Sequence, residues 1–279
     1  MPEANFDNTT VGFIGAGMMG GALMKAVASR LGDTGVGGRL CFTDLSAQRC
    51  HAVAKDVGAI PLESNTDLVQ RCGVIFLAIK PQQLAPVVRE TAPHLQGKIL
   101  VSIAAGVSIP AIRKLLGGIP VPVVRLMPNL PATVGEGMIA LCVDSSDDAS
   151  REAADTVSSL LSRAGRVERV EERLMDCVTA VSGSGPAYGF VFIEALADAA
   201  VSLGMPRSQA YVYAAQTLRG AAAMVLETGA HPAVLKDGVC SPGGTTIEAV
   251  KALEAGGFRA AIIAAAAAAA RRSVELGEK

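Results

Sequence analysis

The segment that most restricts what this chain can become is Gly15-Ala16-Gly17-Met18-Met19-Gly20. It follows the apolar run Thr10-Val-Gly-Phe-Ile14 and opens a helical stretch over residues 18–31. A GxGxxG spacing alone is a weak signal, but between a strand and a helix it has a physical reason. Gly15 permits a tight turn, Gly17 lets backbone approach a pyrophosphate, and Gly20 lets helix and strand pack closely. The helix N-terminus adds free N–H donors and the positive end of its dipole. The reading is a dinucleotide site on a doubly wound α/β sheet; an ordinary glycine-rich turn is the alternative this context disfavours.

The rest of the first half agrees. Residues 40–43 read as a second strand, followed by a helix opening near Ser46. Residues 74–79 and 99–103 are continuous apolar runs, as parallel strands covered on both faces require. Residues 121–127 and 138–143 extend the series, 147–164 read as a helix and 166–170 as a last strand. Beyond that the strand signal stops, and helices alternate with breakers such as Ser182-Gly-Ser-Gly-Pro186 and Gly229-Ala-His-Pro232. The chain therefore divides into an α/β domain, 1–170, and an all-α domain, 171–279, with no linker between them.

Composition narrows the function. Half of the 279 residues are hydrophobic and 18% are charged, which excludes a disordered polar chain. Twenty-five Lys and Arg against 26 Asp and Glu leave a net charge of −1, too little to draw a nucleic-acid backbone. The most apolar late stretch, 260–270, is well under the ~18 residues a membrane span needs. Residues 1–10 lack the basic and apolar regions of a secretory signal. Six scattered cysteines without a CxxC pair, and three histidines without ligand spacing, read as a reduced, metal-free, cytoplasmic protein. Two helical stretches, 188–203 and 210–226, are apolar or small on nearly every face and must be buried all round. About a hundred residues can hardly enclose both, so an interlocked homodimer is expected. The alanine run 264–270, followed by Arg271 and Arg272, reads as helix propensity and a cationic helix end, without chemistry.

Two sites emerge. Asp44 ends the second strand, where an acid bonds a ribose 2′-OH and favours NAD. Thr43, Ser46 and Arg49 lie close in sequence and could instead hold a 2′-phosphate, and Asp44 could also be an early helix cap. Lys80, in Ala78-Ile79-Lys80-Pro81, is placed to face the cofactor, though a solvated lysine before a helix fits equally well. Ala104-Ala105-Gly106 and Met127-Pro128-Asn129 end later strands and are candidates for the nicotinamide pocket. Ser241-Pro242-Gly243-Gly244-Thr245-Thr246 precedes the amphipathic stretch 247–253, an anion nest sized for a carboxylate. A turn with threonine as N-cap explains it equally well. No proton-transfer pair is evident, which suits a reductase whose substrate is already a cationic iminium.

Taken with these sites, the runs Thr179-Ala-Val-Ser-Gly-Ser-Gly-Pro-Ala-Tyr188, Glu194-Ala-Leu-Ala-Asp198 and Leu235-Lys-Asp237 make nearly the whole chain resemble the pyrroline-5-carboxylate reductase family. The resemblance implies NAD(P)H-dependent reduction of 1-pyrroline-5-carboxylate to L-proline, the last step of proline biosynthesis. It implies a Rossmann domain followed by a helical dimerisation domain, with dimers that often build decamers. By position it implies that Gly15, Ala16, Gly17, Met18, Met19, Gly20, Asp44, Ser46, Asn65, Ala78, Lys80 and Ala105 hold the cofactor. The substrate carboxylate falls to Ser241, Gly243, Gly244, Thr245 and Thr246, the ring nitrogen to the Thr246 hydroxyl, and a further proline contact to Glu172. Gly238 stands where some members carry Asn, and the Thr43-Asp44-Leu45 segment departs from members with evident phosphate ligands. Family custom inclines towards NADPH; Asp44 argues the other way. Two other readings compete. A 3-hydroxyacid dehydrogenase would need a catalytic lysine such as Lys236 or Lys251, and a non-catalytic NAD(P)-binding regulator would not need the second anion nest.

Overall fold

Three four-residue strands of wholly buried side chains set the architecture of the N-terminal half. The computed structural model describes residues 9–32, 38–144 and 147–277. In it β1 (Val11–Ile14) runs through the glycine turn into α1 (Met18–Gly32). There follow β2 (Leu40–Thr43), α2 (Ala47–Val57), the two-residue β3 (Ile60–Pro61), α3 (Asn65–Arg71) and β4 (Val74–Leu77). The chain continues as α4 (Pro81–Thr91), β5 (Ile99–Ser102), α5 (Ile109–Leu116) and β6 (Val123–Met127). It then forms β7 (Gly137–Val143), α6 (Asp148–Leu160) and β8 (Gly165–Arg169).

Among the described residues these strands make one eight-stranded sheet in the order β3-β2-β1-β4-β5-β6-β7-β8. Neighbours are parallel except β6 and β7. From β1 the chain steps outward through β2 and β3, then returns to β4 on the other side of β1. That reversal leaves a crevice beyond the carboxyl ends of β1 and β4, where open α/β sheets bind ligands. The doubly wound expectation therefore holds. Several strand bounds shift by one or two residues, and three differences have a plain reason. Periodicity gives no sign of β3, because two residues cannot show a period of two. The strand read over 74–79 ends at Leu77, since the chain must leave the sheet to reach Pro81. The helix read over 147–164 runs from Asp148 to Leu160, with Asp147 as its cap, its Oδ1 accepting from the Ser150 amide at 2.5 Å.

Alternating strand side chains feed two apolar layers. Phe13, Phe42 and Phe76 join α1 and α6 in one; Ile14, Ile75 and Leu77 join α3, α4 and α5 in the other. The rings of Phe13 and Phe76, paired across β1 and β4, stack at 4.4 Å. After β8 a 3₁₀ turn (Glu172–Leu174), α7 (Met175–Val178) and a π-helical turn (Thr179–Gly183) lead away from the sheet. Met175 still packs in the second layer, so the packing of this half outlasts its last strand.

The chain forms two compact units. One holds the described residues up to Gly183 together with those from Ala269 onward, where Ser273 Oγ donates to Asp176 Oδ1 at 2.6 Å. The other, Ser184–Ala268, holds α8 (Gly185–Ser202), α9 (Arg207–Thr228), α10 (Pro232–Val239), α11 (Thr245–Ala255) and the first half of α12 (Phe258–Gly277). In that unit α8 and α9 pack on one another around a small core of Ala197, Ala210 and Ala214. Ile193 and Val201 border that core, but other large apolar side chains face outward: Val191 is 66% exposed, Val212 66% and Leu226 69%. A face of this kind marks an interface. Among the described residues no single helix is long and apolar enough to cross a membrane; α11 and α12 are so only taken together, across a 50° bend.

Phe76 fills the centre of the first layer with no exposed surface. Phe76→Ala is expected to destabilise the fold by about 3–5 kcal/mol, the usual cost of removing a buried phenylalanine. Urea unfolding checks this; a loss under about 1 kcal/mol would mean that the stacked pair is not central to the core.

Candidate functional site

The crevice is built on a turn that only glycine can make. Gly15 has φ +98° and donates to the Thr43 carbonyl at 2.8 Å, while the Ala78 amide donates to Ile14 at 2.8 Å. A Cβ on Gly15 would lie 2.4 Å from the Ala78 carbonyl oxygen, and one on Gly20 would lie 2.5 Å from that of Gly15. A Cβ on Gly17 would meet no protein atom within 4 Å. Gly15 and Gly20 thus serve the packing of turn, strand and helix, whereas Gly17 leaves room for something that is not protein.

Asp44, at the end of β2, fastens this turn. Its Oδ2 accepts from the Ala16 amide at 2.8 Å and its Oδ1 from the Ser46 amide at 2.9 Å. Arg49 Nη1 lies 3.0 Å from both oxygens. Burial opposes ionisation of this carboxyl, but the two amides, the Arg49 hydrogen bond and the Arg49 charge outweigh it and hold the group below the usual carboxylate range. The early-cap alternative for Asp44 does not hold, because Ser46 is the N-cap of α2, its Oγ accepting from the Arg49 amide. Beside this carboxylate Thr43 Oγ1 donates to Asn65 Oδ1 at 2.7 Å, and Asn65 Nδ2 donates to Glu90 Oε2 at 3.3 Å.

Two cavities occupy the crevice and share Gly15, Asp44, Arg49, Ile79 and Gln83 as walls. One, of about 510 Å³, runs over Thr43, Asn65, Glu63 and Glu90; the other, of about 560 Å³, runs over Gly17, Met18, Met19, Gly20, Ala78, Lys80, Ala105 and Met127. Each has the size of a small-molecule pocket. Of the residues expected around the cofactor, Ala16 and Ser46 are not walls of either cavity; their amides are engaged by Asp44. Asn129 is not a wall either. It is buried, receiving the Met138 amide at 2.9 Å and donating to the Ser182 carbonyl at 3.1 Å. Glu63, Gln83 and Glu90 do line the crevice and escaped the sequence reading. The signal for Glu63 was its place two residues after a strand too short to detect.

In the other unit the loop 241–244 turns through Gly243, at φ +66°, and the Gly244 amide donates to the Ser241 carbonyl at 3.0 Å. Gly244 is the N-cap of α11 and supplies no side chain, so the threonine-cap alternative fails. Thr245 and Thr246 are the first helical residues, where backbone N–H groups have no intrahelical acceptor. Lys251 pairs with Glu248 at 3.0 Å, and Lys236 pairs with its neighbour Asp237. Glu172 belongs to the sheet unit. Its Oε1 accepts from the Ile109 amide at 2.6 Å and from Arg125 Nη1 at 3.0 Å, tying α5 and β6 together. Burial pushes the nearby Cys142 thiol up to about 11, and the Glu172 charge adds to the rise. Among the described residues no group of three or more His, Cys, Asp or Glu is placed to hold a metal ion.

Residues 172–276 match the family described as pyrroline-5-carboxylate reductase dimerisation, and residues 10–106 the one described as NADP oxidoreductase coenzyme F420-dependent. The pyrroline-5-carboxylate reductase of Escherichia coli (strain K12) is 41% identical over 269 residues, covering 96% of this chain and 98% of that one. That of Pisum sativum is 40% identical over 271 residues, covering 97% of each. Among solved structures, Plasmodium falciparum pyrroline carboxylate reductase with NADP bound aligns with a TM-score of 0.85 at 30% identity, over 98% of this chain and 100% of that one. The Coxiella burnetii pyrroline-5-carboxylate reductase aligns with a TM-score of 0.86 at 33% identity, over 97% and 99%.

The depressed value of Asp44 has a pH signature. A carboxyl lowered in the folded state adds stability that is complete above its unfolded value of about 3.9 and is lost as pH falls through the folded value. The stability gap between the protein and Asp44→Asn, from urea unfolding, should be flat between about pH 7 and pH 5 and narrow below about pH 4. A gap that stays constant to about pH 3 would mean that the amides do not favour the charged form.

Proposed function

The chain belongs to the pyrroline-5-carboxylate reductase family, and we propose how its own residues divide the work of that reaction. It is an oxidoreductase that uses NADH or NADPH to reduce the C=N bond of 1-pyrroline-5-carboxylate, giving L-proline in the last step of proline biosynthesis. The observation that carries the assignment of the crevice is the open side of Gly17 at the point where the strand order reverses.

The nicotinamide supplies the hydride when bound. The protein's part is to hold and orient. Gly17 would let backbone approach the pyrophosphate on a turn that Gly15 and Gly20 shape, the opening amides of α1 would bond it, and Ala16 braces the turn through Asp44. Lys80, exposed at the start of α4, adds positive charge along the same cavity. Asp44, braced at its other oxygen by Ser46, and Asn65 address the adenosine half; Met18, Met19, Ala78 and Ala105 give the remainder an apolar or small-residue wall.

Substrate binding falls to the uncapped start of α11. The amides of Gly244, Thr245 and Thr246, with Ser241 and Gly243 shaping the loop, receive the carboxylate. The Thr246 hydroxyl orients the ring nitrogen by hydrogen bonding and gives up no proton, because an iminium plus a hydride is already the neutral amine. An iminium already carries the charge that a strong general acid would otherwise have to supply, so a hydroxyl suffices. Glu172 uses only Oε1 in its two bonds, and its other oxygen is assigned the remaining substrate contact. In this division residues 1–170 serve the cofactor and 171–279 serve the substrate and the assembly. The exposed apolar side chains of α8 and α9 support a homodimer; a decamer built from it and a cytoplasmic location rest on the family resemblance alone.

Thr246→Ala should lower turnover at least about tenfold, the equivalent of one lost orienting interaction, while dinucleotide affinity stays nearly the same. Steady-state rates of NADPH oxidation with and without pyrroline-5-carboxylate check it; unchanged turnover would remove Thr246 from the chemistry. Light scattering at micromolar concentration should give at least twice the monomer mass, and a monomeric mass would refute the reading of α8 and α9.

A further inference from the structure

We propose that this chain selects NADH over NADPH, and that Asp44, with Glu63 and Glu90, makes the choice. The inference rests on the reading of the crevice as the dinucleotide site. Charge is sorted along that crevice. The cavity beside the glycine turn contains Lys80 and the opening amides of α1, so it suits the bridging phosphates. The cavity beyond β2 carries three acids, Asp44, Glu63 and Glu90, against one cation, Arg49. That cation is engaged, with Nη1 3.0 Å from both oxygens of Asp44.

Geometry fixes the carboxylate in place. Asp44 cannot swing aside to admit a phosphate, because the Ala16 and Ser46 amides hold one oxygen each at 2.8 and 2.9 Å. An acid ending the second strand meets the ribose 2′ position. A hydroxyl arriving there donates to the carboxylate and takes over a bond that Arg49 now makes. A phosphate arriving there brings about −1.5 to −2 of charge against three carboxylates. Two of the neutral donors nearby are already engaged, since Thr43 Oγ1 donates to Asn65 and Asn65 Nδ2 donates to Glu90. Ser64 and Gln83 complete the polar wall without adding positive charge, so three carboxylates face a second phosphate against the single cation Arg49.

The test is a binding titration followed through reduced-nicotinamide fluorescence, with NADH and NADPH in parallel and no substrate present. The native protein should bind NADH at least about tenfold more tightly, a difference of about 1.4 kcal/mol. Asp44→Ser should erase or invert that ratio. Because Asp44 also braces the glycine turn, its loss could weaken both nucleotides, so a Glu63→Gln, Glu90→Gln double variant is measured beside it. This variant keeps both amide bonds to Asp44 and should tighten NADPH more than NADH, by about threefold, with the difference shrinking in high salt. Equal or tighter binding of NADPH by the native protein would overturn the proposal, as would a ratio unmoved in both variants. NADPH preference together with pyrroline-5-carboxylate turnover would sink this inference alone; binding of neither nucleotide would sink the dinucleotide reading with it.

Discussion

The closeness of two backbones governs this molecule. After β1 the chain must turn so tightly against the carbonyl following β4 that Gly15 has no room for a side chain. That contact follows from the sheet order, since β1 lies between β2 and β4 and the connections leave it in opposite directions. The crevice, the aim of the α1 N-terminus and the position of the carboxylate at the end of β2 all follow from it. Phenylalanines stacked across β1 and β4 hold the two strands in the register that the turn needs.

Much of this was legible because burial on both faces leaves a plain trace. Strands β1, β2 and β4 are short apolar runs that admit little but a covered parallel sheet, and the glycine spacing announces the turn. What stayed hidden was whatever depends on contacts between distant residues. The Ala16 amide bonds a carboxylate 28 positions away, so a donor expected to face the ligand faces the protein. Glu63 and Glu90 belong to one cavity only because α3, which Glu63 precedes, packs on α4, and neither sits in a pattern that sequence can show. Glu172 stood out by resemblance, yet its bonds to Ile109 and Arg125 connect elements that nothing in its neighbourhood foretells. The loop before α11 was recognised as a nest, while the identity of its cap was settled by backbone angles that two adjacent glycines leave open.

The helical unit shows the opposite economy. A core of three alanines, bordered by Ile193 and Val201, joins α8 to α9 and leaves other large apolar side chains outside. A lone chain would gain little from ordering such a pair, whereas a self-associating one converts that surface into its main source of cohesion. Sequence periodicity detected this without naming the occupant, because a helix apolar on every side is a statement about surroundings rather than about itself. The family to which residues 172–276 belong, described by its dimerisation, is consistent with that physics.

The double duty of Asp44 carries a lesson about heritable change. The carboxylate assigned above to the ribose also clamps the loop preceding α1. A lineage drifting toward the other nucleotide could not simply exchange this side chain, because the loop would come unmoored in the same step. It would first need a substitute anchor for the Ala16 amide. Among descendants of such a protein, switches of coenzyme should therefore arrive as linked replacements in the loop and at the strand end, and rarely as isolated ones.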